Sequence, residues 1–521
     1  MNRSTTKVIA GLAVLSFLLS AQSPEVGNRK HLIYHDIQTD ERGNIVPWYD
    51  KDPGIAYDHI LHLIWNYWKN VPLYSNNDPE FHKRYKAYGG VKKYFVARTL
   101  DDMGVGGDQF AMILSSWALY YQYTGDPEVL VDMRNQADTY LTNGLSAANG
   151  EWPNIPYPCN TSKLLAVYDG DLVAGKNYTQ PDKAGSFGAE LVTLYKITGE
   201  RRYLDAARNI ADTLAAKTKP GDNEHSPLPF RVRADNGAIK DAYTTNWTGT
   251  LRLFEDLIAL QEGNVAQYRK ADRIIGDWLK QYPLKTNKWG PFFEDVGQWS
   301  DTEINAGTLA WYALEHPQWD MNWRKDVRSA QDWVTKTLGI DYWKQYGLTV
   351  IGEQTVYHMQ GQGHSSRHAS VELLYAEKTG DDSRKAEAIR LLNWATYMVD
   401  FDGKNWYPNF ENCEIWWTDG YGDYVRHYLR AMGAAPELAP PGQNHLLRTS
   451  SVTKSVTYAA NRIVYETFDD TGTEVLRLTS KPRSIRCQGL NENDWKWQPL
   501  PQGGGVLRIS RSGGSKVEIQ L

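Results

Sequence analysis

Cysteine is nearly absent from this chain: Cys159, Cys413 and Cys487 are the only three in 521 residues. An odd, widely spaced set matches neither a disulfide framework nor a zinc site. An excess of basic charge is missing too. With 57 Lys and Arg against 62 Asp and Glu the net charge is -5, and the clustered cations of a nucleic-acid surface are not there. Beyond the first two dozen residues no apolar run is long enough to cross a bilayer. The chain also lacks G-x-x-x-x-G-K-[ST], a dinucleotide glycine motif and H-E-x-x-H, so nucleotide and zinc-protease readings fall away. "GVGGD" at 104–108 has no strand before it and is no phosphate loop. No calcium or zinc ligand motif appears, and no cofactor or metal is expected.

Aromatics are plentiful, with 20 Trp and 32 Tyr against 12 Phe. Amphipathic rings in such excess suit two ends: gripping flat, partly apolar ligands such as sugars, or filling a large helical core. The opening "MNRSTTKVIAGLAVLSFLLSAQS" has Arg3 and Lys7, an apolar run, then Ser20, Ala21 and Ser23. It reads as a signal peptide over 1–23 with no lipobox cysteine after it, so a secreted or periplasmic protein with no membrane span is expected.

The middle of the chain repeats. "WALYYQYTGDPEVLVDMRNQADTYL", "AELVTLYKITGERRYLDAARNIADTL" and "VELLYAEKTGDDSRKAEAIRLLNWAT" each run from an apolar helix through a T-G-[DE] turn to a charged amphipathic helix. Gly125, Gly199 and Gly380 fit the left-handed position that ends a helix. Two further hairpins start at Trp247 and Ala306, and helices near 57–70 and 420–432 pair to close the set, about twelve helices in all. The pattern resembles the six-hairpin toroids, the (α/α)6 barrels of many glycoside hydrolases and polysaccharide lyases, over residues 50–435. A further hairpin within 78–95 would make it (α/α)7. After the Pro- and Ala-rich "GAAPELAPPGQ" the period becomes alternating, as in "SVTYAANRIVYETFD" and "GGVLRISRSGGSKVEIQL", which predicts a C-terminal antiparallel β-sandwich. The expected division is a toroid over 24–435, a linker over 436–448 and the sandwich over 449–521.

In such a toroid the loops before the inner helices meet at one mouth. They include "RTLDDMGVGGDQ", "KDAYTTNWTG", "YHMQGQGHSSRH" and "NFENCEIWWTDGYGDY", rich in Gly, aromatics, Asp, His and Asn. Helix N-termini pointing there favour an anionic ligand, hence a uronate. Toroid lyases commonly use Asn, His, Tyr and Arg for β-elimination. The resemblance therefore implies His358 or His364 as base, Tyr357 or Tyr421 as acid, and Arg367 with Asn246 clamping the carboxylate. Trp247, His368, Trp416, Trp417, Asp102 and Asp108 complete the expected substrate surface. Histidines at this point could equally cap the helix that follows.

Hydrolysis by paired carboxylates is the alternative, with Asp101, Asp102, Asp108, Glu294, Asp295, Asp301 and Glu303 as candidates. "LDDMGVGGDQFAMILSSWALYYQYTGD" is similar to the Asp-bearing segment of toroid glycosidases, including unsaturated glucuronyl hydrolases. Helix capping by Asp108 and turn formation by Asp101 would explain the same residues structurally. A non-catalytic glycan-binding protein is the third reading. The expected partner is an acidic polysaccharide.

Overall fold

A computed structural model describes residues 33–70, 107–159, 161, 168–408, 413–414 and 418–521. The leader, the 78–95 segment, Asp101, Asp102, Trp416 and Trp417 lie outside the described residues, as does the Asp108 side chain.

Twelve helices longer than two turns are described. Six are inner: α2 (Gly107–Thr124), α4 (Pro181–Thr198), α6 (Thr248–Leu260), α8 (Glu303–Glu315), α10 (Gln362–Thr379) and α12 (Tyr424–Ala434). Six are outer: α1 (Pro53–Asn70), α3 (Pro127–Asn143), α5 (Arg201–Lys217), α7 (Val265–Gln281), α9 (Trp323–Leu338) and α11 (Lys385–Ala395). The two sets differ as their sequences require. Outer α5 buries Tyr203, Leu204, Ala207, Ile210, Ala211 and Leu214, one stripe at helical spacing. Inner α10 is buried on every side from Gln362 to Ala376. Gly125, Gly199 and Gly380 sit at φ 73°, 73° and 77°, ending α2, α4 and α10 in the left-handed conformation that the T-G-[DE] turns predict.

The inner helices form a closed ring, each touching the next. Arg252 of α6 pairs with Glu190 of α4 at 2.8 Å, Tyr312 of α8 with Glu255 of α6 at 2.5 Å, and His364 of α10 with Glu303 of α8 at 3.0 Å. Arg426 of α12 donates to Ser115 of α2 at 3.1 Å, which closes the circle. Between α4 and α6 the approach is close because small residues face each other. A Cβ on Gly249 would lie 2.5 Å from the Ser186 Cα, and one on Gly185 would overlap Thr250 Oγ1. Helix α1 is outer and covers the seam between α12 and α2: Tyr57 packs on Tyr428, Trp65 on Trp117. It therefore belongs beside the closing helix α12 without being antiparallel partner to any other inner helix in a short-turn hairpin.

Much of the tryptophan excess is core. Trp68, Trp117, Trp247, Trp289, Trp343 and Trp394 are fully buried. Where their indole N–H finds a partner it ties helix to helix or loop, as in Trp68 to Asp132 at 2.8 Å and Trp343 to Gln360 at 2.7 Å.

The C-terminal part is two four-stranded sheets. With β1 (His445–Thr449), β2 (Thr453–Ala459), β3 (Arg462–Thr467), β4 (Gly472–Leu478), β5 (Ser484–Arg486), β6 (Trp495–Pro499), β7 (Gly505–Arg511) and β8 (Lys516–Gln520), the orders are β1-β4-β7-β6 and β2-β3-β8-β5. Every pairing among the described residues is antiparallel, and alternating residues such as Leu476, Leu478, Leu507, Ile509, Val517 and Ile519 fill the space between the sheets. Strand β1 begins at His445, within the stretch expected to be linker, and Pro436 and Leu438 before it are buried. The sandwich packs on the C-terminal ends of the inner helices: Tyr458 donates to the Gln122 carbonyl at 2.6 Å, and Arg448 pairs with Glu377 of α10. That leaves the N-terminal ends of the inner helices at the opposite mouth. No helix of the described residues is long and apolar enough to cross a membrane.

Candidate functional site

The mouth at the inner-helix N-termini collects buried charge from four of the six helices, α4, α8, α10 and α12. On α8, α10 and α12 it is one connected network. Glu303, in the first turn of α8, accepts at Oε2 from His364 Nδ1 at 3.0 Å and from Arg367 Nη1. Arg367 also reaches Asp423, which accepts from Arg426 and, at 3.0 Å, from His427 Nε2. Asp423 ends a π-helical turn over Thr418–Asp423 that leads into α12, a geometry often found where a helix serves a site. Burial would raise the Glu303 carboxyl, but Arg367 beside it and then His364 outweigh that, and it sits below its ordinary value. Burial, reinforced by Arg367 and Arg426, holds His427 well below the usual imidazole range, so its Nε2–H donates to Asp423 from a neutral ring.

On α4 and before α6 a second group faces the first. Lys183 Nζ pairs with Asp182 at 2.8 Å, donates to the Phe292 carbonyl at 2.7 Å and lies 3.3 Å from the Phe292 ring centroid. Asn246 donates to the same Asp182 oxygen at 2.9 Å, and Asp182 Oδ1 has no partner among the described residues. The loop carrying Phe292 is anchored from below. Arg231, buried and paired with Asp171, donates to the Phe293 and Glu294 carbonyls. A cavity of about 630 Å³ starts at Lys183, Asn246 and Phe292 and runs along the toroid axis.

The residues expected from sequence fall in different places. His364, Arg367 and Asn246 come together at this mouth, although only Asn246 of the three lines the cavity. The half-buried Phe293 stands edge-on to the His364 ring at 6.2 Å. His368, one turn on, turns away: its ring meets Gln331 at 3.1 Å and Thr335 at 3.3 Å on outer helix α9. Trp247 is wholly buried at the start of α6, its Nε1–H on the Thr244 carbonyl, and does not face the cavity. Tyr421 is also core: its hydroxyl accepts from Asn405 N at 3.0 Å and donates to the Gly403 carbonyl. His358 is exposed and Tyr357 half-buried, in the loop between Gly352 and Met359.

Of the carboxylates expected for hydrolysis, Glu303 is in the network just described. Asp301 instead knots its own loop, accepting from Trp289 N and Gly290 N at 2.7 and 2.8 Å. Asp295 is exposed at the rim. Asp182, Lys183, Asp423, His427 and Tyr407 were not singled out from sequence, although the "TQPDKAGS" and "GYGDYVRHY" loops holding four of them lie on the expected rim. The Tyr407 hydroxyl donates to Glu353 at 2.7 Å and stands beside Gly361, three residues before His364. Among the described residues no cluster of His, Cys, Asp and Glu could hold a metal, and Cys487 is a free thiol.

No protein-family profile matches this chain, and no curated protein matches it. Solved structures do. A sugar epimerase from a ruminal bacterium is similar at 11% identity and TM-score 0.48, over 63% of this chain and 87% of that one. An unsaturated glucuronyl hydrolase specific for heparin is similar at 9% identity and TM-score 0.45, over 75% and 100%. A polysaccharide lyase is similar at 12% identity and TM-score 0.44, over 74% and 97%. At such identities and scores these likenesses assign no activity, and the three named chemistries differ. What the chain does has to be read from its own residues.

Proposed function

We propose that the protein is an exported enzyme that cleaves a uronic-acid-containing polysaccharide by β-elimination at the inner-helix N-terminal mouth. The observation that carries this reading is the Glu303–His364–Arg367 cluster, linked through the Phe293 and Phe292 rings to Lys183 at the head of the cavity, where Asn246 also stands. Elimination requires a base for the C5 proton, a cation or amide at the carboxylate, and an acid for the leaving oxygen. With Nδ1–H given to Glu303, His364 keeps Nε2 as its basic nitrogen, the tautomer being set by the acceptor. His364 takes the C5 proton past Phe293. The electron pair passes through the carboxylate-stabilised carbanion into a C4=C5 double bond, and the C4–O4 bond breaks. Lys183, Asn246 and the positive helix ends hold the carboxylate. Tyr407, beside Gly361, protonates the departing O4, the role that Tyr357 or Tyr421 was expected to fill.

Glu303 argues against hydrolysis at this cluster. A general acid must keep its proton, and the adjacent Arg367 holds this carboxyl below its ordinary value. The test follows the ultraviolet absorbance of the 4,5-unsaturated uronate over a panel of acidic polysaccharides. Wild type should generate it; His364→Ala should abolish it, and Tyr407→Phe should reduce it far more than Tyr357→Phe. Asp108→Asn should mainly weaken folding or binding. Saturated products, with activity lost only in the Asp108 variant, would make the enzyme a hydrolase.

A further inference from the structure

The cavity continues well below the mouth, and its middle has a different character. Arg252, Arg426 and Arg430 project from α6 and α12 into its wall together with Trp311. Their partners do not match their number. Arg252 has Glu190 at 2.8 Å. Arg426 reaches Asp423, but that carboxylate is already shared with Arg367, and the buried Arg426 Nε has no partner among the described residues. Arg430 makes no ion pair or hydrogen bond among the described residues; its guanidinium lies 4.5 Å from the Trp311 ring centroid. Glu190, Glu255, Asp256 and Glu315 line the same partly desolvated space, yet of the three guanidiniums only that of Arg252 forms an ion pair with one of them among the described residues. The titration of two of them agrees: burial pushes Arg430 down to about 9, helped by Arg426 beside it, and burial pushes Arg426 down to about 10, with Arg252 adding to it.

At its far end the cavity is bounded by the exposed Lys378 and by Ser450 of the turn after β1, so it opens on the face that carries the sandwich. Its volume of about 630 Å³ is that of a small-molecule site. We propose that this arginine wall binds a small oxyanion-bearing ligand, a sugar acid or a phosphate, admitted from the sandwich face. The planar guanidinium fork suits both oxyanions, because each presents two oxygens to parallel N–H donors. Trp311 holds the Arg430 fork in place, and the orphaned Arg426 Nε supplies a further donor. The inference stands whether or not elimination is the reaction at the mouth.

Titration calorimetry of the full chain at low ionic strength tests it, with glucuronate, inorganic phosphate and glucose as probes. At least one anion should bind and glucose should not; the tighter anion names the class. Arg430→Gln should weaken that anion about tenfold or more, as expected for a lost charge-assisted hydrogen bond, and Arg430→Lys should lose less. Because Arg430→Gln also removes a packing contact, Thr308→Trp serves as a second variant: it fills the cavity with every charge left in place and should abolish the same binding. The proposal is overturned if neither anion binds, or if both variants bind as wild type does. It is equally overturned if affinity falls in His364→Ala but not in Arg430→Gln, which would put the anion at the mouth.

Discussion

Replacing Glu303 by Gln keeps the shape of the side chain and deletes the charge on which two neighbours depend. Its Oε2 accepts from both Arg367 and His364, and the side chain is fully buried. An amide there offers one oxygen and a donor that has nothing to donate to on that side. Removing one partner of a buried ion pair costs roughly 3–5 kcal/mol, and Arg367 retains Asp423, so about 3 kcal/mol is the expected loss. A toroid of about 400 residues unfolds with an entropy near 0.8 kcal/mol/K at about 2 cal/mol/K per residue, so that loss lowers Tm by about 4 °C. Calorimetry at pH 7 checks the shift. Added salt should leave it unchanged, because buried pairs are screened little. The pH dependence has a definite sign. The folded Glu303 carboxyl lies below its ordinary value of 4.5, so its contribution is complete above that pH and is lost as pH falls through the folded value. The gap between wild type and variant should therefore close on acidification. A shift under about 1 °C, or a gap that widens in acid, would refute the claim that Glu303 holds this network together.

His445, stacked on Tyr123 at 3.8 Å with Nδ1 on the Tyr123 carbonyl, is pushed down to about 4 by burial. Its unfolded form binds a proton that the folded form refuses, so wild type should lose about 3 kcal/mol as pH drops from about 6.5 to about 4, and urea midpoints of His445→Asn should show a shallower slope. Gly249→Ala places a Cβ 2.5 Å from the Ser186 Cα, which as backbone cannot yield cheaply; a cost of about 1–3 kcal/mol should appear as a lower Tm, and an unchanged Tm would mean α4 and α6 separate freely. Gly307→Ala should perturb the charge network itself, since its Cβ would stand 2.5 Å from Glu303 Oε1 and 3.0 Å from Arg367 Cδ; unaltered elimination kinetics in that variant would argue against the cluster as the site.

The ring was legible because its evidence is local: a 3.6-residue period on the outer helices and a turn whose glycine must take positive φ, as Gly199 and Gly380 do. The rim was legible for the same reason, since loop composition differs between the two mouths. Which side chains share a site was much less so. Sequence pattern assigns a face only where one face is wet, and α10 is buried all round. His364 and His368 are one turn apart and indistinguishable by period, yet one meets Glu303 on α8 and the other Gln331 on α9. Asp423 stands in a quoted rim loop and His427 one turn beyond it in α12, and both escaped notice, because a π-helical turn sets their register and no residue in that loop announces it. Tryptophan count left both readings open: Trp247 and Trp289 answer to the core, and composition cannot separate a filled interior from a sugar-gripping surface.

Closure of the inner ring also governs how the chain must come together. Ser115 and Arg426, which join the first inner helix to the last, are 311 positions apart, and the segment around His35 to Trp48 is tied to 393–399 by bonds of similar span. An open stack of hairpins grows by accretion, and each new pair is stable once it meets its predecessor. Here α2 lacks a neighbour on one flank until α12 exists, so the loop-closure entropy of most of the molecule falls on a single late step. The emerging polypeptide therefore carries an unmatched apolar helix face for nearly the whole of its synthesis, a period in which aggregation competes with folding. Loss of the terminal pair from an open array shortens it; loss of α12 here would leave the cylinder slit along its length, with its axial charges open to water.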